Sequence, residues 1–146
     1  MKTTEDLIKS AEQLNRISGE TVDAYSEKQK QIIARTNDLM LKHKKIQSLT
    51  GENDESKMII NHTNHVGFME SIMRNFNPEV FINTILWVYR TYSKHGFDPG
   101  YWQVALEKYD EAVKDILEED AYAEISEYYN WMRKNHRDFV ALSCVD

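Results

Sequence analysis

Five glycines and two prolines are spread over 146 residues. That is too few turn-formers for the hairpins of a sheet protein of this length, and no other feature limits the fold more. Apolar residues instead recur at intervals of three and four, the helical period. Both prolines stand where helices begin: Asn77-Pro78 and Asp98-Pro99 each pair a capping side chain with a residue suited to a first helical turn.

The segments follow from these signals. Leu7, Ile8, Ala11, Leu14 and Ile17 mark a first helix that Ser18-Gly19 ends. A long second helix is predicted over 20–50, closed by Gly51, with Val22, Tyr25, Gln29, Ile32, Thr36, Leu39, His43 and Ile46 as a polar-diluted heptad seam. A third covers 56–76, a fourth runs from Pro78 to Lys94 before His95-Gly96, a fifth covers 99–117 and a sixth 121–142. The expected architecture is one all-α domain over 1–146, with N-terminal helices in 1–50 and core helices in 55–142. Unequal helix lengths and proline-initiated short helices favour a globin-like crossed packing of six to eight helices over an up-down bundle.

Charge and motif content narrow the function. A net charge of −6 gives no basic footprint for nucleic acid. Cys144 is the single cysteine, which excludes a disulfide framework and a multi-cysteine metal site. The opening MKTTEDLIKSAEQLN is charged throughout, and no stretch has the length of a transmembrane helix, so a cytoplasmic protein without membrane insertion is expected. No P-loop, nucleophile triad motif or Glu-x-x-His pair occurs, so no enzyme and no metal site are expected. Residues 28–45 hold six basic residues and one acidic, and 107–127 nine acidic and two basic, which reads as two solvated faces or as a contact between them.

Two placements remain. His62 and His65 fall inside the broad apolar face of the third helix, beside Asn61 and Asn64. They are either core histidines bonded to the backbone or another helix, or the polar groups of a pocket in front of that face. Arg90 is the only charge in VFINTILWVYRTY and has no acidic neighbour at i±3 or i±4. If it is partly buried it needs an anion, which is either a protein carboxylate or a ligand held in bidentate fashion. Arg74, by contrast, has Glu70 at i−4 and reads as a surface residue.

The stretch 61–102, with Trp87-Val88-Tyr89-Arg90, Tyr92, the His95-Gly96-Phe97 turn and Tyr101-Trp102, resembles the non-heme globin sensor domains of bacterial stress and sporulation control. Within that group it is most similar to the stand-alone sporulation-inhibitory sensor-domain proteins, which resemble the sensor of a sporulation histidine kinase. The resemblance implies a heme-less globin fold, a homodimer, and a hydrophobic tunnel holding a fatty acid whose carboxylate meets an arginine and a chloride ion. Carried onto this chain, Arg90, His65 and His62 would bind the carboxylate and anion. Phe68, Met69, Ile72, Met73, Phe76, Leu86 and Tyr89 would line the tunnel. The implied role is to restrain sporulation by sequestering a signal or by pairing with the kinase sensor. A histidine charged near pH 6–7 would make headgroup binding weaken as pH rises.

Two other readings stay open: a heme globin sensing gas through His95 or His65, and a ligand-free helical interaction module. The dimer face is expected at Tyr128, Trp131 and Leu142, which lie off the main stripe of the last helix.

Overall fold

The computed structural model describes residues 2–144. Among these, nine helices and no strand are present: α1 (Thr4–Ala11), α2 (Gly19–Glu27), α3 (Gln29–Leu41), α4 (Ile46–Leu49), α5 (Glu55–Arg74), α6 (Pro78–Lys94), α7 (Gly100–Ile116), α8 (Glu119–Lys134) and α9 (His136–Ser143). The chain is all-α, as expected, with more helices than predicted. No described helix is long and apolar enough to cross a membrane.

Local chemistry sets most boundaries. Thr3 and Asp6 form a reciprocal capping box at α1, with the Thr3 hydroxyl accepting from the Asp6 N–H at 3.1 Å. Asn77 Oδ1 accepts from the Val80 N–H at 3.1 Å and Pro78 fills the first turn of α6, as the Asn-Pro pair predicts. At α7 the device is displaced by one residue: Asp98 Oδ1 accepts from the Gly100 N–H at 2.7 Å, so the helix starts after Pro99.

Two predicted helices are broken. The 20–50 segment divides at Lys28 (φ −102°, ψ 10°) and again after Leu41. The 121–142 segment divides at Asn135 (φ −101°, ψ 7°). Neither break carries glycine or proline. Asn135 is 1 % exposed; its amide donates to the Trp131 carbonyl at 2.8 Å and its Oδ1 accepts from the Lys2 ammonium. A buried polar side chain that needs partners from the other end of the chain bends the helix there.

Gly51 (φ 66°) closes α4 as predicted, for two reasons. The left-handed conformation favours glycine, and a Cβ at this position would lie 2.1 Å from the Gly96 carbonyl oxygen. The 49–53 and 95–98 loops therefore press together, joined by Asp98 N–H to the Leu49 carbonyl at 2.9 Å and Asn53 Nδ2 to the His95 carbonyl at 2.8 Å.

α7 is the central element: α3 packs on one side of it and α8 on another, while α5 lies on α3. The basic and acidic stretches meet here through Arg35 and Asp115 at 3.0 Å. α6 packs against α9 and α1, and its backbone stands off α5 and α7. Large rings bridge that gap: Phe68 stacks on Phe81 at 6.1 Å and Tyr89 on Trp102 at 4.8 Å between centroids.

The expected dimer face is instead interior. Tyr128 is fully buried and its hydroxyl donates to the Asn15 carbonyl at 2.9 Å. Trp131 donates its indole N–H to Ser10 Oγ at 3.0 Å and packs on Phe81 and Phe139. Leu142 is half-buried against the core. The partner helix implied by that second stripe is α1 of the same chain. Arg74 is exposed, pairing with Glu70 at 2.9 Å as predicted and with Asp23 at 3.0 Å.

Candidate functional site

The stand-off of α6 leaves a cavity of about 310 Å³ between α5 and α6, reaching α7, α8 and α9. Phe68, Ile85, Val88, Leu106, Met132 and Phe139 give it apolar walls. Asn61, Asn64, His65 and Tyr109 give it one polar side, while Trp87 and Thr91 reach it from the outer helix. Two-thirds exposed, Trp87 stands at the boundary with solvent.

The polar side is anchored by a buried network. His62 is fully buried; its Nδ1 meets Asn37 Oδ1 and its Nε2 meets the Tyr101 hydroxyl at 3.0 Å. That hydroxyl also reaches Asn61 Oδ1 at 2.9 Å, to which Tyr109 donates at 3.4 Å. His65 Nε2 meets the Tyr129 hydroxyl at 2.8 Å, and its ring stacks on Tyr109 at 3.8 Å. His62 is thus a satisfied core histidine behind the wall, and His65 belongs to the wall itself.

Burial holds both imidazoles neutral. Desolvation lowers each histidine to a pKa of about 3, and for His65 the nearby His62 adds to the effect. No carboxylate faces either ring among the described residues to oppose it. The expected charging of a histidine near pH 6–7 is therefore corrected: neither ring gains a proton across pH 6–8. Desolvation also raises the phenols of Tyr101, Tyr109 and Tyr129 well above their ordinary range, so the network is uncharged throughout.

The condition under which Arg90 would need a buried anion is not met. Arg90 is exposed, and its guanidinium donates to the Leu142 carbonyl at 3.4 Å. It is not on the cavity wall, and among the described residues that wall carries no Lys, Arg, Asp or Glu. An exposed guanidinium needs no buried counter-charge, so the missing acidic neighbour carries no message. Of the expected tunnel residues, Phe68 and Tyr89 line the cavity. Met69, Ile72, Met73 and Leu86 are buried in the core, and Phe76 is half-buried against Phe81 and Tyr128.

Sequence reasoning missed Tyr109 and Tyr129 as partners of the histidines. Nothing in periodicity says which inward-facing residues of different helices meet. No protein-family model, curated protein or solved structure matches the chain.

Proposed function

We propose that this chain is a heme-less, globin-like sensor domain that takes the aliphatic tail of a fatty-acid-like lipid into the cavity between α5 and α6. One observation carries the reading: a cavity with apolar walls and a single polar side lies where the histidine-bearing helix faces its successor. On the scale at which an apolar cavity of about 150 Å³ holds benzene, this one holds roughly a dozen carbon-sized atoms. Ten buried methylenes contribute about 8 kcal/mol before association and ordering costs. A chloride ion is not part of this reading, since the wall offers it no cation.

Heme is disfavoured by geometry. His65 Nε2 is held by Tyr129 and one face of the ring is covered by Tyr109. His95 is exposed at the end of α6, outside the cavity.

The output is the restraint of sporulation named by the resemblance, by sequestering the lipid or by pairing with a histidine kinase sensor in the cytoplasm. A further observation bears on pairing. Residues 58–69 of α5 and 80–89 of α6 contain no Lys, Arg, Asp or Glu in a chain of net charge −6. Ile60, Val80 and Trp87 stand exposed on these spans. A second copy of this chain would meet that face without like-charge repulsion, so homodimerisation is placed there in this reading.

Organic extraction of the purified protein with mass spectrometry, and an absorbance scan alongside, test the proposal. The expected result is an aliphatic lipid near one per chain and no Soret band. A dry protein, or a Soret band, would overturn it.

A further inference from the structure

The cavity's polar side holds donors that nothing in the protein uses. Asn61 is 3 % exposed and lies on the wall; its Oδ1 is engaged by Tyr101 and Tyr109, while its Nδ2 donates to the Tyr92 hydroxyl, which leaves the second amide proton without an acceptor among the described residues. Tyr129 is 1 % exposed; its hydroxyl meets His65 Nε2 at 2.8 Å and lies near the Tyr25 hydroxyl. With the Tyr129 proton directed at Nε2, the ring proton of the neutral imidazole stands on Nδ1, the tautomer taken for the inferred ligand contact. Nδ1 likewise has no partner among the described residues, on a ring that lines the cavity and keeps some accessible surface. Close by, the half-buried Tyr92 hydroxyl lines the same cavity and accepts from the Asn61 amide.

Asn61 and His65 thus bring neutral N–H groups to the lining of a chamber that carries no charged side chain among the described residues. A buried donor without an acceptor is costly, and a ligand oxygen relieves that cost. An ionised carboxylate at this end would need a cation, and the wall has none; burying it unpaired is expensive.

We infer that the ligand is an uncharged amphiphile whose hydroxyl or carbonyl oxygen enters first and accepts hydrogen bonds from Asn61 Nδ2 and His65 Nδ1. This rests on the lipid-binding reading and names the chemical class of its ligand: a medium-chain alcohol, aldehyde, ketone or ester, with the tail toward Trp87. A fatty acid anion would be held only with its carboxylate outside, in water, leaving both donors unused.

The test titrates the full chain with 1-decanol, 2-decanone and decanoate near pH 7.5, following tryptophan fluorescence, since Trp87 and Trp102 line the cavity. Decanol and decanone are expected to bind at least about tenfold more tightly than decanoate. The infrared carbonyl band of bound decanone is expected below its position in hexane, reporting the hydrogen bonds without any substitution. Decanoate binding as tightly as decanol, or a carbonyl band at the hexane position, would overturn the inference while leaving lipid binding intact. Failure of all three ligands to bind would overturn both. Asn61→Leu is expected to lower decanone affinity about tenfold, and an unchanged affinity in a folded variant would count against the inference.

Discussion

His65 and Tyr109 stack face to face, 3.8 Å between ring centres and 16° from parallel, and both line the cavity between α5 and α6. The contact joins the histidine-bearing helix to the central helix α7 and gives the chamber a polar side that carries no charge. Its energetic consequence is a dependence of stability on pH. His62 and His65 have folded pKa values near 3, below the ordinary value of 6.5. The unfolded chain therefore binds protons that the folded chain refuses, and stability present above pH 6.5 is lost as pH falls toward 3. Between pH 7 and pH 5 the loss is about 2 kcal/mol per histidine. Urea titrations at the two pH values check this, and His62→Gln should flatten the dependence; equal midpoints for the unmodified protein would contradict it.

Tyr25 gives a prediction of opposite sign. Its hydroxyl is fully buried and has no hydrogen-bond partner, although it lies near that of Tyr129. Removing it leaves the ring packing in place and relieves an unpaired polar group. Tyr25→Phe is expected to stabilise the protein by about 1 kcal/mol, or roughly 2–4 °C in Tm by thermal melting. A loss of stability would show that the hydroxyl is used.

Gly51 joins two loops at a point where no side chain fits. Gly51→Ala sets a Cβ against the Gly96 carbonyl in a left-handed conformation. The expected cost is about 3 kcal/mol. Gly67, on the exposed side of α5 with open space around it, is the control: Gly67→Ala should stabilise by about 0.5–1 kcal/mol.

Trp131 and Trp87 separate interior from surface. Trp131→Glu breaks the bond to Ser10 and places a charge among aromatic rings, so it is expected to cost about 3–5 kcal/mol and to act on folding. Trp87→Glu changes an exposed side chain and should leave the unfolding free energy within about 0.5 kcal/mol of its starting value. In the proposed reading it converts dimer to monomer on size-exclusion chromatography; an unchanged elution volume rejects that face.

Much of this was legible in the sequence. Asn77-Pro78 marks the start of α6 and Gly51 the end of α4 because caps and left-handed turns are local chemistry. The pairing of Arg74 with Glu70 is one helical turn long and could be read in the same way. The histidines fall on the inward face of α5 because periodicity reports direction. What was not legible depends on distant residues. Asn135 bends the last helix with a side-chain acceptor that Lys2 fills. Tyr128 and Trp131 are covered by the first seventeen residues, and a stripe looks the same whether its partner is the same chain or another. Arg90 follows the exposed Trp87 around α6 and not the buried Leu86, a difference of one helical position that the apolar arc left unresolved.

The central claim is that the space between α5 and α6 is occupied by a lipid. Native mass spectrometry of the purified protein beside a Val88→Trp variant, which fills the cavity from α6, tests it most directly. A one-to-one lipid adduct on the unmodified chain, absent from a folded Val88→Trp protein, is the predicted result. Bare chain in both samples, or the same adduct in both, would contradict it.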